Sequence, residues 1–310
     1  MSIGSEIRLV DQTDTADRQH IEVVDEHEEA PQARPSSTTS VATVARRGAL
    51  ILGITVLAFV AFALWFSALA HARSQVGLQR RFRAELADTS APIEGNIAAG
   101  APVAMLDISG LGLHEVVVEG TRSGQLEKGP GHLVGSPLPG QPGNAVIAGR
   151  HTLYGGPFHG LASLRAGDDI DVTTGQGRVT YRVTGVARVG AEGGSVMADH
   201  NDNRLTLFTA DQAITASDRL VVTATLRGDP FRATALHRGL DPEGLGLTGE
   251  RGAISIVLVW LELLVAFVLL AVFARTRWSR LVTWLVFAPG IALFAWLLFE
   301  NAVRLLPATL

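Results

Sequence analysis

The chain of 310 residues contains no cysteine. Disulfides and thiolate metal sites are excluded, a reaction that needs a thiol has no residue to carry it, and cysteine usage is silent on the redox compartment. An excess of positive charge is missing too. With 26 Lys and Arg against 30 Asp and Glu, the formal net charge is -4, which gives no reason to expect nucleic acid binding. No cleavable signal segment is recognisable, because a long polar tail precedes the first apolar run and no small-residue cleavage site follows it.

What the chain does have is three long apolar runs, Ala49 to Ala70, Ala253 to Ala274 and Leu281 to Leu306. Each has about the 20 residues that a helix needs to cross the hydrocarbon core of a bilayer. Residues 1–45 hold Asp14, Asp17, Glu22, Asp25, Glu26, Glu28 and Glu29, then Pro31, Pro35 and a Ser/Thr run. That segment cannot bury enough surface to offset ordering entropy and is expected to be a disordered cytoplasmic tail. The expected order continues with a first membrane helix over 46–72 and an amphipathic connector near the membrane surface over 73–99. In the connector, Gln79, Arg80, Arg81 and Arg83 interleave with Leu78, Phe82 and Leu86. A Gly- and Pro-rich linker at 228–252 leads to a second membrane helix at 253–274, a basic loop at 275–280 and a third membrane helix at 281–306.

Orientation rests on the short loop with Arg275, Arg277 and Arg280, since basic clusters in short loops resist translocation. The loop is expected inside, which makes the chain a multi-pass protein of the cell membrane with residues 100–227 on the extracellular side. Polar residues sit inside the apolar runs: Glu262 in the second, and Glu300, Asn301 and Arg304 in the outer part of the third, at overlapping depths. Such groups are expected to be buried against a partner, locally as a Glu300–Arg304 pair, or against a partner membrane protein or lipid headgroup through helices 2 and 3. Pro289-Gly290 should kink or loosen the third helix.

Residues 100–227 read differently. Val116–Val118, Ala145–Ala148, Asp169–Val172, Thr180–Val183, Leu205–Leu207 and Leu220–Val222 are short strand-like runs separated by Gly, Pro, Asn and Asp turns. No long helical pattern alternates with them, so the expected fold is mainly β, a closed barrel, with a short helix over Pro157 to Leu164.

Three segments carry a family resemblance: Leu138-Pro139-Gly140-Gln141-Pro142-Gly143-Asn144-Ala145-Val146-Ile147-Ala148-Gly149-Arg150-His151, continuing through Tyr154-Gly155-Gly156-Pro157-Phe158; Thr206-Leu207-Phe208-Thr209-Ala210; and Asp218-Arg219-Leu220-Val221-Val222-Thr223-Ala224. They resemble sortases, and Val116 to Thr121 and Gly129 to His132 add to the likeness. The resemblance covers about Pro102 to Leu226, and the Tyr154–Phe158 spelling is that of actinobacterial class E sortases. It implies a membrane-anchored barrel of the cell envelope in which a cysteine thiolate attacks a sorting-signal peptide of the Leu-Pro-X-Thr-Gly type. A histidine then serves as acid/base and an arginine stabilises the oxyanion. Here the cysteine position is Ala210 and the histidine position is Arg150, while Arg219 keeps the family's arginine.

Alanine offers no lone pair, so cysteine transpeptidation is not expected. Strand alternation points the Thr209 hydroxyl away from the Ala210 face, and a one-residue slip turns His151 away from the place of Arg150. The groove candidates are Arg150, His151, Thr209, Ala210 and Arg219. Two guanidinium groups in one groove favour a carboxylate, unless Asp211, Asp218 or Asp199 neutralises them. His200 with Asp199 and Asp202 is read as a polar loop rather than a metal site, His132 is noted as another histidine of this region, and no cofactor is expected. The expected function is a peptide-binding or accessory module for a sorting-signal-like peptide or an envelope protein. The rival is an acyltransferase or peptidase with a hydroxyl nucleophile, whose mark would be a hydroxyl hydrogen-bonded to an imidazole and facing Arg219.

Overall fold

The structure, a computed structural model, describes residues 41–93, 96–190, 202–211, 218–232 and 252–309. Most of the expected N-terminal tail, most of the 228–252 linker and the loop holding Asp199 and His200 lie outside the described residues. Residues 41–45, read from sequence as tail, are already helical.

Eight strands form the barrel: β1 (Pro102–Ile108), β2 (Leu113–Glu119), β3 (Gly131–His132), β4 (Asn144–Ala148), β5 (Asp169–Thr174), β6 (Gly177–Gly190), β7 (Arg204–Ala210) and β8 (Asp218–Leu226). Their order around the closed sheet is β1-β2-β3-β4-β7-β8-β6-β5. The pairs β2/β3 and β4/β7 are parallel. Alternate side chains divide between two faces. Ala145, Ile147, Leu205, Leu207, Leu220 and Val222 join the interior core, whereas Val146, Ala148, Phe208 and Val221 form a separate apolar cluster with Leu126 and Leu133. The helix expected over Pro157 to Leu164 is shorter than the pattern suggests, a 3-10 turn at Leu161–Ser163. Phe158, Leu161 and Leu164, which the pattern places on one helix face, are all buried in the core, but only Leu161 reaches it from within the turn.

An N-terminal helix runs from α1 (Val41–Ala61) through a π-helical turn at Phe62–Phe66 into α2 (Ser67–Ala87). The inward face of α2 carries Ser67, His71, Gln75 and Phe82, spaced for one side of a helix, and all four are buried. Gln75 acts as a surrogate strand residue: its Nε2 donates to Val116 O at 3.1 Å and Lys128 O at 2.9 Å, and its Oε1 accepts from Val116 N at 2.8 Å. Because β3 pairs with β2 at only two positions, the amide covers backbone groups that would otherwise be left bare. The connector's inward face is thus taken by the barrel, and Arg80, Arg81 and Arg83 lie on its outer side.

Two helices are long and apolar enough to cross a membrane, α4 (Ala253–Ala274) and α5 (Arg280–Val303), with mean hydropathy 3.0 and 2.1. They pack as a hairpin. The α5 helix runs through Pro289 as one element, and Gly290 lets α4 approach, since a Cβ there would meet the Phe267 ring at 2.4 Å.

Close approach also decides Gly131. A Cβ at this position would lie 2.2 Å from the Gly120 carbonyl oxygen, a backbone atom that cannot turn aside. Gly131→Ala should therefore lower stability by about 1–3 kcal/mol through overpacking. An unchanged denaturation midpoint for the detergent-solubilised variant would contradict this packing.

Candidate functional site

The parallel pairing of β4 with β7 runs from Asn144↔Arg204 to Ala148↔Phe208 and continues where Gly149 N–H donates to Phe208 O at 3.0 Å. On the other side of β7, Ala210 pairs with Arg219 of β8. The end of β7 is therefore flanked by the Gly149-Arg150-His151 turn and by Arg219. The Ala210 methyl is fully buried there.

Arg150 is also fully buried. Its Nη2 donates to Ser123 Oγ at 2.8 Å and to Ser123 O at 3.3 Å, at the start of the short helix α3 (Ser123–Leu126), and its guanidinium stands 4.7 Å from the Tyr154 ring centre. Tyr154 holds a left-handed backbone at φ 52°, and its N–H donates to Ser67 Oγ of α2 at 3.1 Å. A bulky residue in that conformation marks a tightly determined turn. Burial first, and then the Glu127 carboxylate, push the Tyr154 phenol up to about 12, so it stays a neutral platform for the cation. Arg219 is 2% exposed, its guanidinium lies 5.6 Å from the Phe208 ring, and burial lowers its basicity. The two arginines have different described neighbours. Asp211 does not neutralise either of them by an ion pair, since it pairs with Arg188 at 2.7 Å, and Asp218 is exposed.

The chain after α5 enters this site. Arg304 reaches Glu127 of the barrel at 3.4 Å rather than closing the local pair with Glu300. Val303 packs with Phe62, Ala63, Leu153 and Tyr154. Ala308, 3% exposed, joins the apolar cluster of Leu126, Leu133, Val146, Ala148, Phe208 and Val221. The Thr309 carbonyl accepts from His151 N at 2.9 Å and from the Thr209 hydroxyl at 3.4 Å. The hydroxyl that strand alternation sends away from Ala210 thus finds a partner at the strand's end, where the regular pleat stops. Sequence reasoning extended the third apolar run to Leu306 and missed Ala308 and Thr309. The available signal was the order Leu306-Pro307-Ala308-Thr309, which is the Leu-Pro-X-Thr order of the peptides that the resemblance implies.

One hydroxyl does contact an imidazole. Ser136 Oγ lies 2.9 Å from His132 Nε2, and His132 Nδ1 lies 2.8 Å from Glu119 Oε2. The group sits on β3 and the turn after it, not at the β7 end. Ser136 also closes that turn, donating to Leu133 O at 2.8 Å and accepting from Val146 N at 3.3 Å, and all three side chains are buried. These contacts explain the serine as a turn-holding group. Among the described residues no set of three metal-ligating side chains converges, and Asp202 pairs with Arg204 at 3.4 Å. Of the polar residues in the hairpin, Glu262 is exposed on α4, Glu300 is half-buried, and Asn301 Nδ2 donates to Leu297 O at 2.8 Å.

The sequence pattern of the sortase domain matches residues 106–227. Sortase A of Bacillus anthracis is 34% identical over 87 residues, which are 28% of this chain and 41% of that protein, so the chain spans about two fifths of this curated relative. Sortase E from Streptomyces avermitilis is 32% identical, with 42% of this chain and 91% of that chain covered and a TM-score of 0.39. The Clostridium perfringens sortase D5 transpeptidase is 26% identical, covering 51% of this chain and 99% of that one, with a TM-score of 0.44. The chain, through its eight-stranded barrel, belongs to the sortase family.

His151 supplies a test of the local electrostatics. Burial, followed by neighbouring His159, holds its imidazole below the usual 6.5, while Asp211 pulls weakly upward. A depressed histidine favours the neutral form in the folded chain. Its contribution to stability is present above the unfolded value of about 6.5 and is lost as pH falls from there toward the lower folded value. A histidine-selective NMR titration should place the His151 midpoint below 6.5, and a midpoint above it would contradict the placement of the ring.

Proposed function

We propose that the protein is a membrane-anchored, peptide-binding member of the sortase family that does not act as a cysteine transpeptidase. The supporting observation is the end of β7: Ala210, fully buried, stands between Arg219 and the Arg150 turn, and no sulfur nucleophile exists anywhere in the chain. Acyl transfer splits into two easier steps only when a nucleophile carries the acyl group between them. Arg219 alone polarises a carbonyl and provides no such carrier. What the groove retains is the means to hold an extended peptide: an apolar cluster, a strand-end amide at His151 that bonds outside the β4–β7 ladder, and buried guanidinium groups.

On this reading the hairpin of α4 and α5 anchors the chain in the cell membrane, with Arg275, Arg277 and Arg280 inside and the barrel on the outer face. Glu262, exposed within an apolar helix, is the group through which a partner membrane protein would be met, because a lone carboxyl facing lipid is costly. The barrel then works beside that partner as an accessory module of the envelope, presenting or retaining a sorting-signal-like peptide.

Two measurements test these statements. Mass spectrometry of the purified chain with Leu-Pro-X-Thr-Gly peptides and an amine acceptor should find no acyl adduct and no transpeptidation product. Ala210→Cys with Arg150→His should recover slow thiol-dependent cleavage, and Ala210→Cys alone should recover less, because an arginine cannot hand a proton to the leaving amine. Product formation by the wild-type chain at the rate of the double variant would show another nucleophile and end the binding-protein reading.

The second measurement concerns orientation. The cysteine-free chain permits single-cysteine labelling without background. A membrane-impermeant maleimide on intact cells should reach Ser163→Cys in the barrel and spare Ser279→Cys beside the basic loop. The reverse pattern would overturn the topology.

A further inference from the structure

The reading of the groove as a peptide site leaves its occupant to be found, and the chain itself supplies one. The α5 helix ends at Val303, and within five residues the chain is buried against the outer face of the barrel. Leu305 is exposed, Leu306 and Pro307 are half-buried, and Ala308 and Thr309 are 3% and 1% exposed. Burial of this depth means that the segment lies in a recess of the barrel surface. That recess is the outer face of β4, β7 and β8, where Val146, Ala148, Phe208 and Val221 present an apolar floor. The segment's polar atoms are matched as well as its methyl group. The Thr309 carbonyl accepts the His151 N–H, which lies just beyond the last β4–β7 ladder position, and the Thr209 hydroxyl closes on the same oxygen. Two independent kinds of contact, apolar burial and directed hydrogen bonding, therefore converge on two adjacent residues.

We infer that Leu306–Thr309 is the resident ligand of this groove, bound in cis, so that the protein is a self-capped peptide-binding protein. The recess that holds Ala308 accepts a small apolar side chain, and the position after it needs a backbone carbonyl aimed at His151 N–H. A peptide supplied in trans must have the same chemistry, an extended segment with alanine or a similarly small residue followed by a residue with a free carbonyl. It enters only when the cis segment leaves. The end of α5 governs that departure, because Arg304 pairs with Glu127 and Val303 packs on Leu153 and Tyr154, both within a few residues of the groove.

The test uses the full chain in detergent micelles and rests on two readouts. In the first, maleimide reacts with single-cysteine variants: Ala308→Cys should label at least tenfold more slowly than Leu305→Cys, an exposed control in the same segment. Equal rates would overturn the cis complex. In the second, a fluorescein-labelled peptide of sequence Leu-Leu-Pro-Ala-Thr-Gly is titrated and followed by anisotropy. Ala308→Arg, which places a charge in the apolar recess and expels the segment, should bind the peptide at least tenfold more tightly than the wild type. Equal, tight binding by the two proteins would overturn self-capping. Protection at position 308 with no peptide binding by any variant would leave the cis complex standing and defeat instead the reading of the barrel as a binder of separate peptides. Should Ala308→Arg fail to fold, Arg304→Gln provides the second variant: loss of the Glu127 contact should raise both the labelling rate at position 308 and the peptide affinity, and no change in either would count against the proposed control by α5.

Discussion

The parallel register between β4 and β7 is the constraint on which the rest of the site depends. Because side chains alternate with a period of two, this register decides that Val146, Ala148, Phe208 and Ala210 share one face while Ala145, Ile147, Leu205 and Leu207 fill the barrel. A slip of one residue would exchange the two sets, putting polar Thr206 and Asn144 on the wrong side and breaking their 2.7 Å side-chain hydrogen bond. The same register carries the chain to Gly149 opposite Phe208 and so places Arg150 and His151 beyond the strand, one side chain buried inward and one backbone amide left for a ligand. Parallel strands need a long connection between them, and here the stretch between β4 and β7 includes β5 and β6, which close the other half of the barrel.

The end of β7, in a chain without cysteine, is densely structured. Burying two guanidinium groups is costly, and each has an aromatic face against it, Tyr154 for Arg150 and Phe208 for Arg219. Arg150 is further tied to Ser123, at the start of α3, and so forms part of the scaffold that joins β4 to α3. Its side chain is therefore committed to holding the site together. The Ser136, His132 and Glu119 network has the donor and acceptor order of a hydrolytic triad but is committed to turn closure, which illustrates why distance alone does not identify a catalytic hydroxyl.

Much of the barrel was legible because its strands obey local rules: short apolar runs bounded by Gly, Pro and Asn or Asp turns give β2, β4, β5, β6, β7 and β8 from the residues alone. The two-residue β3 carries no such pattern, since it depends on the missing Cβ of Gly131, which leaves room for the Gly120 carbonyl, a tertiary fact. The Ala210 and Arg150 substitutions were visible as departures from a motif, but where the Arg150 fork ends, on Ser123 and Tyr154, was not, because a long side chain's partner is set by distant chain. The inward role of Gln75 was hidden for the same reason: in the helix it is one more polar residue, and only the bare edge of β2 makes it a backbone mimic. Arg304 was assigned by hydropathy to the membrane, where an apolar alphabet cannot distinguish lipid from a protein groove, and Ala308, just past that run, carried no local hydropathy signal of its burial.

The shortness of the connection between Val303 and Ala308 changes what competition at the groove means. A ligand tethered by so few residues acts at an effective concentration on the order of millimolar or above, without forming any stronger contact than a free peptide would. Its described contacts are individually modest, a small side chain at about 0.8 kcal/mol per buried methylene-sized group and hydrogen bonds at about 0.5–1.5 kcal/mol each. A dilute soluble peptide with the same contacts would therefore lose to the tether almost all the time. A segment carried by a neighbour on the same membrane surface is itself confined to a thin layer and so is present at a comparable local concentration. Confinement, more than sequence, would then determine which segments gain entry.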